Sequence, residues 1–147
     1  MSKGMLVGVI AIALVAVGVW VEQRRTVTEH TQAATPVQAA APLVTIALPQ
    51  TLSTSANAGK RLFDARCASC HGQNAVGQEG VAPPLVHKIY EPSHHGDESF
   101  QRAVARGVQA HHWPFGDMPP VEGLSRAEVN DIIVYIRELQ RANGITN

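Results

Sequence analysis

Large aromatic side chains are scarce in this chain: Phe, Tyr and Trp make up 5% of its 147 residues. A domain of about a hundred residues with so few rings is short of core volume. Domains that small often complete themselves with a cofactor, a metal or a cross-link. Cysteine is scarcer still, with only Cys67 and Cys70. A bridge between residues that close would form too short a loop to restrain the unfolded chain, so a structural disulfide is not their purpose. Charge of one sign is missing as well. Lys and Arg number 12 and Asp and Glu number 12, which removes any whole-chain attraction to nucleic acid or anionic lipid. Setting aside Lys3, Arg24, Arg25, Glu22 and Glu29 leaves 9 basic and 10 acidic residues from residue 56 onward, so the expectation there is the same. No stretch alternates with period two, and the expected fold is therefore all-α.

One long apolar run is present. Residues 4–21 carry no charge, and as a helix they would span roughly 27 Å, near the thickness of a bilayer core. Trp20 stands at the end of the run, where an aromatic ring favours the interface. Residues 1–21 are expected to be a transmembrane anchor. A cleaved secretory signal is the competing reading, disfavoured by the length of the run and by Glu22, Gln23, Arg24 and Arg25 after it. Lys3 and the terminal amine on one side nearly balance Arg24 and Arg25 on the other, so charge alone does not orient the segment. Residues 22–55 are rich in Ala, Thr, Gln and Pro and have the composition of a flexible linker, reaching on the order of 30 Å as a coil. Within it, residues 43–48 are apolar enough to lie along the domain surface, although a slightly sticky piece of linker is the plainer reading.

Residues 56–147 are expected to form the folded domain. A first helix over residues 56–66, capped from Ser53, Thr54 or Ser55, would put Gly59, Leu62, Phe63 and Cys67 on one face. Loop follows from residue 72 to 96, where Gly and Pro concentrate. A second helix near residues 98–108, capped by Asp97 or Ser93, would turn Phe100, Ala103, Val104 and Gly107 inward. A further loop runs from 110 to 123. The last helix has a capping box at Ser125 and Glu128, an apolar stripe through Val129, Ile132, Ile133, Ile136 and Leu139, and Gly144 just past its end.

Cys67-Ala68-Ser69-Cys70-His71 carries the chemistry. Cys-x-x-Cys-His is the signature of covalent haem attachment. Two thiols at this spacing match the two vinyl groups along one edge of the ring, and the adjacent histidine supplies an axial nitrogen. A redox dithiol would call for a βαβ context that is absent, and a closed zinc site would need a second pair of cysteines. One haem c, held by Cys67, Cys70 and His71, is the expected cofactor.

With these features in this order, residues 56 to about 144 resemble a class I cytochrome c of the mitochondrial and bacterial type. The resemblance implies that Gly59 and Phe63 on the first helix pack against Ile132 and Tyr135 on the last. It implies that the carbonyl of Pro83 accepts the second ring N–H of His71, and that Met118, in Gly116-Asp117-Met118-Pro119-Pro120, is the sixth iron ligand. Met118 is also the only thioether in the domain, since Met1 and Met5 fall in the apolar run. It implies a haem domain on the periplasmic side of the inner membrane, to which the apolar run would tether it by a single pass, and redox proteins as partners: a membrane or periplasmic dehydrogenase or oxidase. The expected role is a tethered one-electron shuttle rather than an enzyme, with a cytochrome subunit of a larger oxidoreductase as a variant.

Histidine departs from the common pattern. His94 and His95 precede the second helix and His111 and His112 follow it. About ten helical residues between the pairs would hold them roughly 15 Å apart, so a single site using all four is not expected. Polar loop residues near the haem edge are the plainer reading. A copper or other metal site, or a histidine replacing Met118, is the rival. Trp113 and Phe115 are expected to pack in the haem pocket. An open or His-ligated iron would turn the shuttle into a haem enzyme or sensor.

Overall fold

The computed structural model describes residues 40–147, and the expected anchor over residues 4–21 lies outside them. Among the described residues no helix is long and apolar enough to cross a membrane. Among the described residues four α-helices carry the fold: α1 (Thr54–Arg66), α2 (Ala68–His71), α3 (Asp97–Arg106) and α4 (Arg126–Ala142), with 3-10 turns at Gln73–Ala75 and Lys88–Tyr90. Among the described residues there is no strand, only isolated antiparallel bridges between Gln78 and Ala82 and between Val108 and Met118. The all-α expectation holds.

The helix ends follow local chemistry. Ser53 caps α1 by accepting from the Ala56 amide at 3.1 Å. At α4, Ser125 and Glu128 form the reciprocal capping box, satisfying two amides that the first turn leaves free. The cap expected for α3 is not the one found. Gly96 occupies that position without a side-chain bond, while Asp97 and Glu98 in the first turn oppose the positive end of the helix dipole.

The core is the crossing of α1 and α4, with Phe63, Ile132, Tyr135, Ile136 and Leu139 buried in one cluster. The crossing is possible because residue 59 has no side chain. A methyl group there would overlap the Asp131 carbonyl and stand 2.8 Å from the Ile132 nitrogen. The helices therefore meet at Asp131 and Ile132, one turn before Tyr135. That ring packs edge-on against Phe63 instead, with centroids 5.7 Å apart, and its hydroxyl donates to Asn74 Oδ1 at 3.0 Å.

The linker expectation needs correction in its last part. The Leu43 amide donates to Val76 O at 3.1 Å and the Glu79 amide to Ala41 O at 2.9 Å. Asn143 clasps Ala47 on both backbone groups, at 2.8 Å each. Ile46 and Leu52 pack on the core. The apolar residues of this segment dock because backbone partners are available on the loop after α2 and at the end of α4. The expected boundary at residue 56 falls inside α1.

Candidate haem site

α1, α2, α3 and α4, with the loops between them, enclose a cavity of about 860 Å³ walled largely by apolar side chains. Solvent reaches one side of it, and the breadth of its apolar lining is that of a fold built around a large apolar group. Phe63, Tyr90, Phe100, Val104, Ile132 and Ile136 are among the lining residues. Phe100, Ala103 and Val104 are only half-buried within the protein because they face this space.

Cys67, Cys70, His71, Pro83 and Met118 all line the cavity. Cys67 ends α1, and α2 is the single turn that carries Cys70 and His71. His71 is buried, and its Nδ1 lies 2.8 Å from the Pro83 carbonyl. A carbonyl only accepts, so Nδ1 carries the proton and Nε2 keeps its lone pair free to ligate. Burial lowers the His71 pKa, with the Pro83 bond opposing, which favours the neutral ring a metal requires. Burial raises Cys67 to about 11, ahead of opposite effects from Arg66 and Cys70.

Met118 is held by its backbone. Its amide and carbonyl pair with Val108 at 2.9 Å each, and Asp117 accepts from the Ala110 amide at 2.8 Å. The bridge passes so close to residue 107 that a side chain there would meet the Met118 carbonyl, and Gly107 adopts φ 75°. The donor set of two thiols, one oriented imidazole and one thioether fits a c-type haem, which supplies one-electron chemistry at iron. The Trp113 indole N–H is buried beside the Tyr90 hydroxyl, whose pKa burial raises to about 12 and Trp113 opposes. Trp113 and Phe115 stack at 5.8 Å and line the cavity, as expected.

The histidine expectation is overturned. His112 lies 5.2 Å from both His94 and His95 between ring centroids, and His111 lies 6.1 Å from His95. The 15 Å separation assumed that each pair stays at its own end of the helix. α3 ends at Arg106, and the chain then turns at Gly107 and runs back beside the helix, carrying His111 and His112 to its start. His95 is shifted below the ordinary imidazole value first by burial, with His94, His111 and Arg137 adding to it and the Ile89 bond opposing. His112 is likewise lowered, first by desolvation and then by repulsion from His111, His95 and His94.

Sequence reasoning missed Arg137 and Gln140, buried polar residues on the inward face of α4. Arg137 donates to Tyr90 O at 2.7 Å, His95 O at 2.6 Å and Gln140 Oε1 at 2.7 Å, and pairs with Asp97 at 2.9 Å. Gln140 donates to Leu85 O at 2.8 Å. Together they satisfy the carbonyls of the loop that carries Tyr90 and His95. Their only sequence signal is a register one turn on from Ile133 and Ile136.

The family profile described as Cytochrome c matches residues 56–140. A thiosulfate dehydrogenase of Psychrobacter arcticus is 33% identical over 100 residues, covering 65% of this chain and 29% of that protein, so the chain spans under a third of the relative's length. No solved structure matches. The chain belongs to the cytochrome c family, and the cavity around Cys67, Cys70 and His71 is where the haem c implied by that membership fits.

Proposed function

We propose that the protein is a membrane-tethered monohaem cytochrome c that passes single electrons between redox proteins. Cys67 and Cys70 attach the haem, His71 and Met118 are the axial ligands, and Pro83 orients His71. The observation carrying this reading is the convergence on one apolar cavity of both thiols, the lone-pair-bearing face of His71 and the backbone-pinned Met118. Two protein ligands saturate the iron and leave no position for substrate. Thioether ligation in a buried pocket favours the reduced iron, which suits a carrier. The apolar run over residues 4–21 supplies the tether, with the haem domain on the periplasmic side of the inner membrane.

Met118→Ala tests the ligand set. The wild-type ferric protein should show the charge-transfer band of a thioether–iron bond. The variant should lose it, fall in reduction potential and gain peroxidase activity. A wild-type spectrum of five-coordinate or bis-imidazole iron would refute the assignment. For topology, a reporter active only outside the cytoplasm, fused after Asn147, should be active.

A second reading has one observation in its favour, the likeness to a thiosulfate dehydrogenase. In it the chain is the cytochrome subunit of a larger oxidoreductase. Haem reduction by thiosulfate in solubilised membranes, but not in the purified chain, would support the subunit reading. Equal reduction of the purified chain would make the protein itself an enzyme.

A further inference from the structure

We infer that His94, His95 and His112 form a second metal site, for a divalent late transition ion with Cu²⁺ preferred, on the rim of the haem cavity. Each ring offers one nitrogen, and these three nitrogens all lie within 4.8 Å of one another. Three imidazoles bound tetrahedrally at about 2.0–2.1 Å place their nitrogens about 3.4 Å apart. The nitrogens thus need to draw together by at most about 1.4 Å, a gap that side-chain rotation closes, since His94 and His112 are exposed. The three rings meet edge to face, with the planes of His94 and His95 crossing at 63°, of His94 and His112 at 70°, and of His95 and His112 at 72°, so no ring lies flat across another.

The site is held from beneath. His95 Nδ1 lies 2.6 Å from the Ile89 carbonyl, so that nitrogen carries the proton and Nε2 is left as the donor. Arg137 fixes the backbone of the same residue by donating to the His95 carbonyl at 2.6 Å. Its positive charge would oppose a nearby cation, but Asp97 lies against the guanidinium at 2.9 Å and offsets it. His111, with ring centroid 4.2 Å from His112, stands beside the three. Three neutral imidazoles with no thiolate or carboxylate suit Cu²⁺ and Zn²⁺ over Mg²⁺, Ca²⁺ or Mn²⁺, and among divalent ions a nitrogen site binds Cu²⁺ most tightly. A bound ion would join the chain before α3 to the chain after it.

The test is calorimetric titration of the haem-loaded, full-length protein in detergent with Cu²⁺ and with Zn²⁺, alongside His94→Gln, His112→Gln, His30→Gln and His87→Gln. Wild type should take up one equivalent of Cu²⁺, with paramagnetic resonance showing nitrogen coupling to copper, and should bind Zn²⁺ more weakly. His94→Gln and His112→Gln should each weaken binding by about a hundredfold or more, since even outer partners of metal sites are worth 10–100-fold. His30→Gln and His87→Gln should match wild type. Both rim residues are exposed, and an unchanged haem absorption spectrum shows that each variant is folded. Absence of saturable binding in the wild type, or undiminished binding in both rim variants, would overturn the site.

Discussion

Gly59→Ala is the substitution whose cost the structure sets most directly. A methyl group at residue 59 would run into the Asp131 carbonyl and the Ile132 nitrogen, and both obstacles are helix backbone that no rotamer change can move. α1 and α4 must part for it to fit, which loosens Phe63, Ile132 and Tyr135 together. Overpacking a well-filled core costs about 1–3 kcal/mol, and a backbone-on-backbone clash belongs at or above the upper end. The same change returns about 1 kcal/mol of helix propensity. The net loss expected is about 2–3 kcal/mol. In a domain of this size each kcal/mol moves the melting temperature by roughly 4–8 °C, so Tm should fall by roughly 10–20 °C. The assay is thermal unfolding of the haem-loaded protein followed by circular dichroism. An unchanged or raised Tm would refute the close crossing and with it the packing of the two longest helices.

Arg137→Met should destabilise by roughly 3 kcal/mol, because the His95 carbonyl and Gln140 Oε1 lose their donors in a buried setting. Asp97→Asn should cost less than about 1 kcal/mol, since that carboxylate is 64% exposed; equal losses in urea titrations of the two variants would mean the ion pair, not the carbonyl contacts, matters. Tyr135→Phe should cost about 1 kcal/mol through the lost bond to Asn74 Oδ1 while leaving the Phe63 contact in place, and a neutral result by denaturant unfolding would argue that the hydroxyl is solvated. Cys67→Ala combined with Cys70→Ala should abolish covalent haem on a denaturing gel and leave the domain largely unfolded, because the cavity takes up so much of its core; native helicity without haem would show that the protein core suffices.

What could be read from the sequence was local or depended on a short pattern. Ser125 and Glu128 announce the start of α4 because a capping box is satisfied within four residues, and the stripe from Val129 to Leu139 shows its buried face by period alone. Cys67, Cys70 and His71 are adjacent in the chain, so their joint chemistry needs no fold to bring them together. Pro83 was legible only through resemblance, and Met118 through resemblance and as the one thioether of the domain; it took the folded chain to put the Pro83 carbonyl on His71 Nδ1 and to pin Met118 against Val108. The docking of residues 41–52 and the roles of Arg137 and Gln140 were not legible, because each depends on backbone groups that distant segments offer. The histidines show the difference most clearly. Treating the two pairs as the ends of a rod keeps them apart, but the reversal at Gly107 brings His112 back against His94 and His95. Helical rise measures distance along one element, whereas the direction the chain takes after that element is decided by the packing of the whole domain.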